Sequence, residues 1–185
     1  LWMQKHEPEL FARIRKIMLP KDYLCYRMTG VHATDYSDAA GTLLLDVKNK
    51  CWSQKMLDLC HIRKGQMPAL YESYEVVGTL LPDTARELGL SPHCKVMAGA
   101  SDNAAAAIGT GTVGDGTCNI SLGTSGTIFI PSTRFHQVTG HALHSFNHAD
   151  GSYHLYHRLY NHGNAMPKAV QESSFCADAV LMYSS

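Results

Sequence analysis

Apolar residues near the start of the chain recur at the spacing of a helix. These positions are Leu10, Ile14, Ile17 and Met18, with lysine and arginine between them. Because steps of three and four residues place side chains on one helix face, the pattern predicts an amphipathic helix over residues 5–19. Pro20 is expected to end this helix, since proline cannot donate the helical hydrogen bond. A short segment that closes in a Thr-Gly turn at residues 29–30 should follow.

The central part of the chain predicts short elements separated by turns. The residues Asp35, Ser37 and Asp38 are typical of helix caps, so they favour a short element from Ala39 onward. The same side chains would also suit a cation or a sugar hydroxyl, although capping explains them more simply. Three further elements are predicted at residues 52–60 (helix), 76–81 (strand) and 82–88 (helix, with Gly89 as its C-cap).

The second half of the chain is richer in glycine and small residues. An apolar run over residues 95–99 predicts a buried strand, which leads through Ser101 into an alanine-rich helix at residues 104–108. Closely spaced glycines at residues 109–116 mark a candidate domain boundary. No internal repeat is present.

Two strand-like runs then flank a short polar turn. The runs are Cys118 to Leu122 and Thr127 to Ile130, and Gly123-Thr124-Ser125-Gly126 joins them. Successive backbone N–H groups and two hydroxyls in such a turn can hold phosphate oxygens, and glycine lets the backbone approach a ligand closely. An ordinary hairpin turn would use the same residue types, so the turn alone leaves both interpretations open.

Composition narrows the class of protein. The 185 residues carry sixteen basic and sixteen acidic side chains, which argues against a basic nucleic-acid-binding face or a membrane-surface binder. No apolar run is long enough to span a bilayer, and we expect a cytoplasmic protein. Six cysteines without a Cys-x-x-Cys pair favour free thiols over zinc ribbons or disulfides.

The pair Asp102-Asn103 is the strongest candidate for chemistry. It lies where a predicted strand meets a helix N-terminus, and there the helix dipole favours a carboxylate. A positioned aspartate can accept the proton of a hydroxyl that attacks a phosphoryl group, and an amide can hydrogen-bond a polyol. Simple capping of the helix is the alternative.

Histidine is the other unusual feature, because six of the eleven histidines fall between residues 141 and 162. His144 and His148 would share a face of a helix and could bind a metal there. Nothing nearby completes a ligand set, so we interpret the histidines as scattered surface or turn residues and predict no metal site.

The ordered set of motifs resembles the FGGY carbohydrate kinases, and among them the xylulokinases most closely. The similarity covers roughly residues 1–155 in the family's order and spacing. The matching segments are Leu1 to Pro8, Pro20 to Leu24, Arg27 to Gly30, Asp35 to Thr42, Trp52-Ser53, Met67 to Leu70, Gly99 to Ala105, Ser121 to Gly126 and His144-Ser145-Phe146.

The resemblance implies an α/β, actin-like (ribonuclease-H-like) ATPase fold of two domains. Residues 1–110 would be the C-terminal part of the sugar-binding first domain, and residues 111–185 the start of the nucleotide-binding second domain, with a tail that diverges after about residue 155. The implied activity is phosphorylation of D-xylulose to D-xylulose 5-phosphate with ATP and Mg²⁺. The site residues that the resemblance implies are Asp102 (general base and substrate contact), Asn103 (substrate contact) and Gly123, Thr124 and Ser125 (ATP phosphates).

The family's first phosphate loop and its adenosine-binding loop have no match in this sequence. We therefore expect an internal piece of a kinase, which is inactive when isolated. Two alternatives stay open: a non-catalytic or remnant piece that binds only sugar or a partner, and a kinase of the same family for another polyol such as glycerol or gluconate. A homodimer is compatible with the resemblance.

Overall fold

The computed structural model describes residues 1–122, 126–138, 143–159 and 178–183. The chain divides into two compact units, Leu1–Gly99 and Ala100–Ser185. No helix in these ranges is long and apolar enough to cross a membrane.

The first unit combines short helices with pairs of short strands. In chain order its elements are α1 (Trp2–His6), α2 (Pro8–Arg13), α3 (Pro20–Thr29), β1 (Ala33–Asp35), α4 (Tyr36–Ala40), β2 (Leu45–Asp46), β3 (Cys51–Trp52), α5 (Gln54–Leu59), a 3₁₀ turn (Lys64–Gln66), β4 (Ala69–Tyr71), β5 (Val76–Thr79), α6 (Pro82–Leu88) and β6 (Lys95–Met97). Strand β1 pairs with β4 in parallel, while β2 pairs with β3 and β5 with β6 in antiparallel fashion. Ala33, Val77 and Ala98 form a buried cluster among these strands.

The predicted helix over residues 5–19 is wrong beyond Arg13. Pro8 starts a new helix, α2, and the backbone is extended at Ile14. Tertiary hydrogen bonds hold the segment after α2 outside a helix: Ile17 N donates to the Gln66 carbonyl, and Gln66 Nε2 donates to the Ile14 carbonyl (2.8 Å). These bonds outweigh the local periodicity, which by itself is a weak determinant of structure.

Pro20 begins a helix rather than ending one. It occupies the first position of α3, where its missing N–H has no helical partner to lose. Leu19 N donates to the Asp22 carboxylate (3.0 Å), which satisfies a further group at this helix start. The predicted Thr-Gly turn is confirmed, because Gly30 ends α3 in the left-handed conformation (φ +75°).

The other predicted elements of the first unit are present, with two corrections. The short element expected from Ala39 is a helix that already starts at Tyr36, since the side chain of Asp35 accepts from Ser37 N at its N-cap. The run over residues 95–99 forms β6, but this strand is not buried. Within the described residues it pairs with β5 alone, and both Lys95 and Met97 are exposed.

A buried ion network lies in the first unit and centres on Lys21. Its ammonium contacts the carboxylates of Asp22 (3.1 Å) and Asp35 (3.0 Å), and it donates to the Ala98 carbonyl (2.9 Å). Both aspartates are almost completely buried. Asp35 Oδ2 also accepts from the hydroxyls of Ser37 and Ser73.

The two carboxylates of this network stabilise the charged form of Lys21. Burial acts to lower the pKa of Lys21, but the two carboxylates outweigh it and raise that pKa above its ordinary value. The Lys21 stem passes close to Gly99, where a Cβ would come within 3.3 Å of Lys21 Cδ and where φ is +78°. A side chain at residue 99 would therefore both strain the backbone and push the lysine aside.

The second unit is a five-stranded sheet with one described helix on it. Its elements are α7 (Asp102–Gly109), β7 (Thr117–Leu122), β8 (Gly126–Ser132), β9 (His144–Asn147), β10 (Tyr153–Leu159) and β11 (Asp178–Tyr183). The strand order is β11-β7-β8-β10-β9, in which β11 runs parallel to β7 and the other neighbours are antiparallel. The sequence predicted α7, β7 and β8, and all three are confirmed.

Lys21→Met should destabilise the protein by about 3–5 kcal/mol, because it leaves two buried carboxylates without a countercharge. The free energy of unfolding in urea measures this loss. Lys16→Met is the matched control: Lys16 is exposed and donates only to the Gly65 carbonyl, so its loss should cost less than about 1 kcal/mol. Equal losses in the two variants would contradict a structural role for the network.

Candidate active site

The candidate site begins at the N-terminus of α7. Ser101 is the N-cap, with an extended backbone, and its carbonyl accepts from Ala105 N (2.8 Å). Asp102 and Asn103 are therefore the first two residues of the helix, as the sequence predicted. The positive end of the helix dipole favours an anionic side chain at this place.

The Asp102 carboxylate is exposed and bound on one side only. Its Oδ1 accepts from the backbone N–H of Asn103 (2.7 Å) and from the Asn103 side-chain amide (3.0 Å). No donor in the described part of the chain binds Oδ2. The structure thus brings the predicted carboxylate and amide into direct contact and leaves one carboxylate oxygen available to a ligand.

Small residues hold α7 close to the sheet. Ala104 and Ala107 are completely buried and pack with Phe129 of β8 and with Ala149. Because alanine has only a methyl group, the helix backbone can approach the aromatic ring closely. The two alanines face the interior while Asp102 at the same helix end is exposed.

Hydrogen bonds fix the far end of α7. The Thr110 hydroxyl lies within hydrogen-bonding distance of the Ala106 and Ala107 carbonyls (3.0 and 3.1 Å) and accepts from Asn119 Nδ2 of β7 (3.2 Å). Thr112 N donates to the Ala107 carbonyl (2.8 Å). The helix is therefore tied to the sheet at its C-terminus as well as along its buried face.

Two histidines lie in the interior beneath this helix. His154 stacks on the Phe129 ring (centroids 3.9 Å apart), and His148 meets the same ring edge-on (5.0 Å). Both are almost fully buried, so neither is a surface histidine: His154 lies in strand β10, and His148 starts the turn that follows β9. Burial and the neighbouring His148 lower the pKa of His154 to about 3, and burial also lowers the pKa of His148.

His144 and His148 cannot bind a metal from one face of a helix. His144 lies in strand β9 and His148 follows that strand, so they do not share a helix face. Among the described residues, no three His, Cys, Asp or Glu side chains converge as a metal site would require. The other polar cluster, around Asp35, is used inside the first unit: Asp35 caps α4 and pairs with Lys21.

The structure describes the strands on both sides of the candidate phosphate turn but not the turn residues themselves. Strands β7 and β8 pair in antiparallel register up to Leu122 opposite Gly126. The predicted strands of the hairpin are thus confirmed, while Gly123, Thr124 and Ser125 lie outside the described residues.

Sequence reasoning missed the groups that support the site. The buried histidines gave no periodic signal, since His154 lies in strand β10 and His148 in the turn after β9. Thr110 and Thr112 looked like ordinary residues of a glycine-rich stretch. A usable signal was the alanine pair at residues 104 and 107, because a three-residue step of small residues indicates a close helix contact.

Comparison with known proteins places these features in a family. The model of the FGGY family of carbohydrate kinases, N-terminal domain, matches residues 1–109. The xylulose kinase of Escherichia coli (strain K12) is 51% identical over 149 residues, which cover 80% of this chain and 31% of that protein.

Solved structures of sugar kinases are also similar to this chain. The crystal structure of a "xyloylose kinase" from Brucella ovis superposes with a TM-score of 0.84 and 38% identity, covering 95% of this chain and 36% of that one. A gluconate kinase from Lactobacillus acidophilus gives 0.81 and 28%, with the same two coverages. The chain spans about a third of the length of these relatives. They confirm the family resemblance and the actin-like α/β fold class.

Ala107→Val should destabilise the protein by about 1–3 kcal/mol, because two added methyl groups would overpack the contact with Phe129. Ala105→Val, on the exposed side of the same helix, is the control and should cost only about 0.5 kcal/mol through helix propensity. Urea unfolding measures both. If the two variants lose the same stability, α7 does not rest on Phe129 as described.

Proposed function

The chain belongs to the FGGY family of carbohydrate kinases, and on that premise we propose that it supplies the catalytic base of an ATP-dependent sugar kinase. The reaction transfers the γ-phosphoryl group of ATP to the 5-hydroxyl of D-xylulose and yields D-xylulose 5-phosphate and ADP. The exposed Asp102 carboxylate at the N-terminus of α7 is the observation that carries this proposal. The enzyme works in the cytoplasm.

In this proposal Asp102 acts as the general base. Its Oδ2 accepts the proton of the sugar hydroxyl as the hydroxyl oxygen attacks phosphorus, while Oδ1 stays bonded to the Asn103 backbone and amide. Those two bonds restrict rotation of the carboxylate, so the proton acceptor is held in place before substrate arrives. Phosphoryl transfer needs little covalent help, so this positioning accounts for much of the catalysis.

The remaining site residues have separate roles. The Asn103 amide contacts sugar hydroxyls, and Gly123, Thr124 and Ser125 hold the ATP phosphates. The paired strand ends at Leu122 and Gly126 support this assignment, because they bring residues 123–125 into one short connection. Mg²⁺ would neutralise charge on the ATP phosphates; no described cluster of three carboxylate, histidine or cysteine side chains would hold it, so the proposal assigns it no protein ligand.

The domain assignment that we propose also rests on the family. Residues 1–110 belong to the sugar-binding domain, and residues 111–185 begin the nucleotide-binding domain. The family model, which ends at residue 109, supports this division. Under this assignment α7 ends the sugar-binding segment of the sequence, although the helix packs within the second compact unit, Ala100–Ser185.

Another sugar is the second candidate for substrate. The similarity to a gluconate kinase favours this alternative over a wholly different reaction. The higher identity to the E. coli xylulose kinase favours D-xylulose.

Asp102→Asn in the complete enzyme should lower kcat by about two to four orders of magnitude, the usual effect of losing a general base. Stability should change little, because the amide oxygen can still accept from the Asn103 backbone. Asp83→Asn is the matched control: Asp83 lies in the exposed first turn of α6 and should leave kcat unchanged. Near-normal turnover of the Asp102 variant would refute its role as base.

Steady-state rates with D-xylulose, glycerol and gluconate test the substrate. We expect kcat/KM to be highest for D-xylulose, measured as ADP release with a coupled assay. A clear preference for gluconate or glycerol would support the proposed kinase activity and contradict D-xylulose as its substrate. Binding of sugar without ADP release on any of the three would favour a non-catalytic binding protein.

A further inference from the structure

The buried side chains beneath α7 form one continuous aromatic layer in the second unit. Phe129 is its centre, with His154 stacked on one ring face and His148 against its edge. Phe146 of β9 extends the layer, because the centroid of its ring lies 5.5 Å from that of His154. The two histidine rings are themselves 5.7 Å apart.

This layer carries α7. Ala104 and Ala107 of the helix pack on Phe129, so the helix rests on the ring that the histidines hold. His148 also lies near the backbone of Thr112, which follows the helix and is hydrogen-bonded back to it. The histidines thus meet the helix twice, once through Phe129 and once through the segment after its C-terminus.

The layer is built for neutral rings. Both nitrogens of His148 and Nδ1 of His154 are buried, and none has a partner with good hydrogen-bond geometry in the described structure. The backbone of Thr112 near His148 and that of Asn147 near His154 favour the protonated rings, but burial outweighs them. A proton on either ring would place a charge in an apolar interior, and protons on both would add repulsion across 5.7 Å. For His148 the Asp150 carboxylate offsets part of the first cost, whereas no acidic group of the described residues does so for His154.

The titratable groups that face the pair are few. From the turn after β9, Asp150 Oδ2 lies 3.8 Å from His148 Nε2 and favours its protonated form, although burial outweighs this effect. From β9 and β10, His144 and Tyr156 make ring contacts with Phe146, and Tyr156 also packs against the cluster around Phe129, so it is the other titratable group beside this layer. Helix α7 presents only alanine side chains to this layer, and β8 presents Phe129.

We propose that His148 and His154 are positioning residues for α7, and that their protonation in mild acid releases the helix that presents Asp102 and Asn103. The rings hold Phe129, Phe129 holds the alanine face, and the alanine face sets where the carboxylate lies. The link to catalysis rests on the proposed function, whereas the release of the helix does not.

The sign of the effect follows from proton linkage. A histidine whose pKa is lower in the folded than in the open state stabilises the fold fully above the open-state pKa. That stabilisation is lost progressively as the pH falls below it. For one histidine with an ordinary open-state pKa near 6.5, the opening equilibrium rises by about 30-fold between pH 7.5 and 5.0. Two titrating rings would raise it further.

Hydrogen–deuterium exchange of the α7 amides tests the proposal in the complete chain without any activity measurement. Protection factors, corrected for the intrinsic exchange rate at each pH, should fall by about 30-fold or more from pH 7.5 to 5.0. Amides of α6 serve as the internal reference, because that helix belongs to the other compact unit and should lose less protection.

Substitutions separate positioning by the histidines from general acid unfolding. His154→Phe keeps a ring to stack on Phe129 but cannot be protonated, so the pH-dependent loss of protection should become at least about tenfold smaller. His144→Gln, an exposed histidine of the same sheet, should behave like the unsubstituted chain. If His154→Phe leaves α7 unprotected even at pH 7.5, His148→Phe provides the same test.

Two outcomes would overturn the proposal. One is α7 protection that does not change between pH 7.5 and 5.0. The other is an equal loss of protection in the His154→Phe, His148→Phe and unsubstituted chains. Failure of Asp102→Asn to affect turnover would refute the proposed base and leave this result standing.

Discussion

The contact of Ala104 and Ala107 with the Phe129 ring is the constraint on which the candidate site depends. It sets the distance between α7 and the sheet and the side of the helix that is buried. It therefore also sets the place where Asp102 is exposed. Only residues as small as alanine allow that approach, so the helix is short of large apolar side chains where it meets the sheet. The Asn119 side chain of β7 donates to the Thr110 hydroxyl (3.2 Å) and so ties the C-terminal end of the helix to the sheet. The catalytic proposal thus rests on packing before it rests on any charge.

The two compact units solve the burial of polar side chains in opposite ways. In the first unit the carboxylates of Asp22 and Asp35 are buried beside the Lys21 ammonium, which contacts both within 3.1 Å. In the second unit His148 and His154 are buried as neutral rings that lean on aromatic neighbours. The first unit sets an opposite charge beside the buried carboxylates, whereas the histidine layer depends on rings that stay uncharged. A histidine that opening exposes has an ordinary pKa near 6.5 and therefore takes up a proton in mild acid.

How much the sequence predicts depends on whether a feature is local. The cap of α4, the helix from Pro82 to Leu88, the alanine-rich helix and the strands around the polar turn were all predicted, because each rests on neighbours in the chain. Asp102 and Asn103 were placed at a helix N-terminus for the same reason. The failures are tertiary. Gln66 binds the backbone at Ile14 and Ile17 from 49 or more residues away, and no periodicity reveals such a partner. Likewise His154 meets Phe129 because β10 pairs with β8, and His148 reaches the same ring from the turn between β9 and β10.

A base and its support need opposite surroundings, and one short helix provides both. Asp102 must be exposed, since it has to meet a hydroxyl of a ligand that arrives from solvent. The face formed by Ala104 and Ala107 must be buried, since an exposed contact would let water compete with the packing that sets the carboxylate's place. Ala104 lies only two positions after Asp102, which is less than one helical turn. Any change that tilts α7 on Phe129 would therefore move the carboxylate at the exposed end, even though the change occurs in the interior.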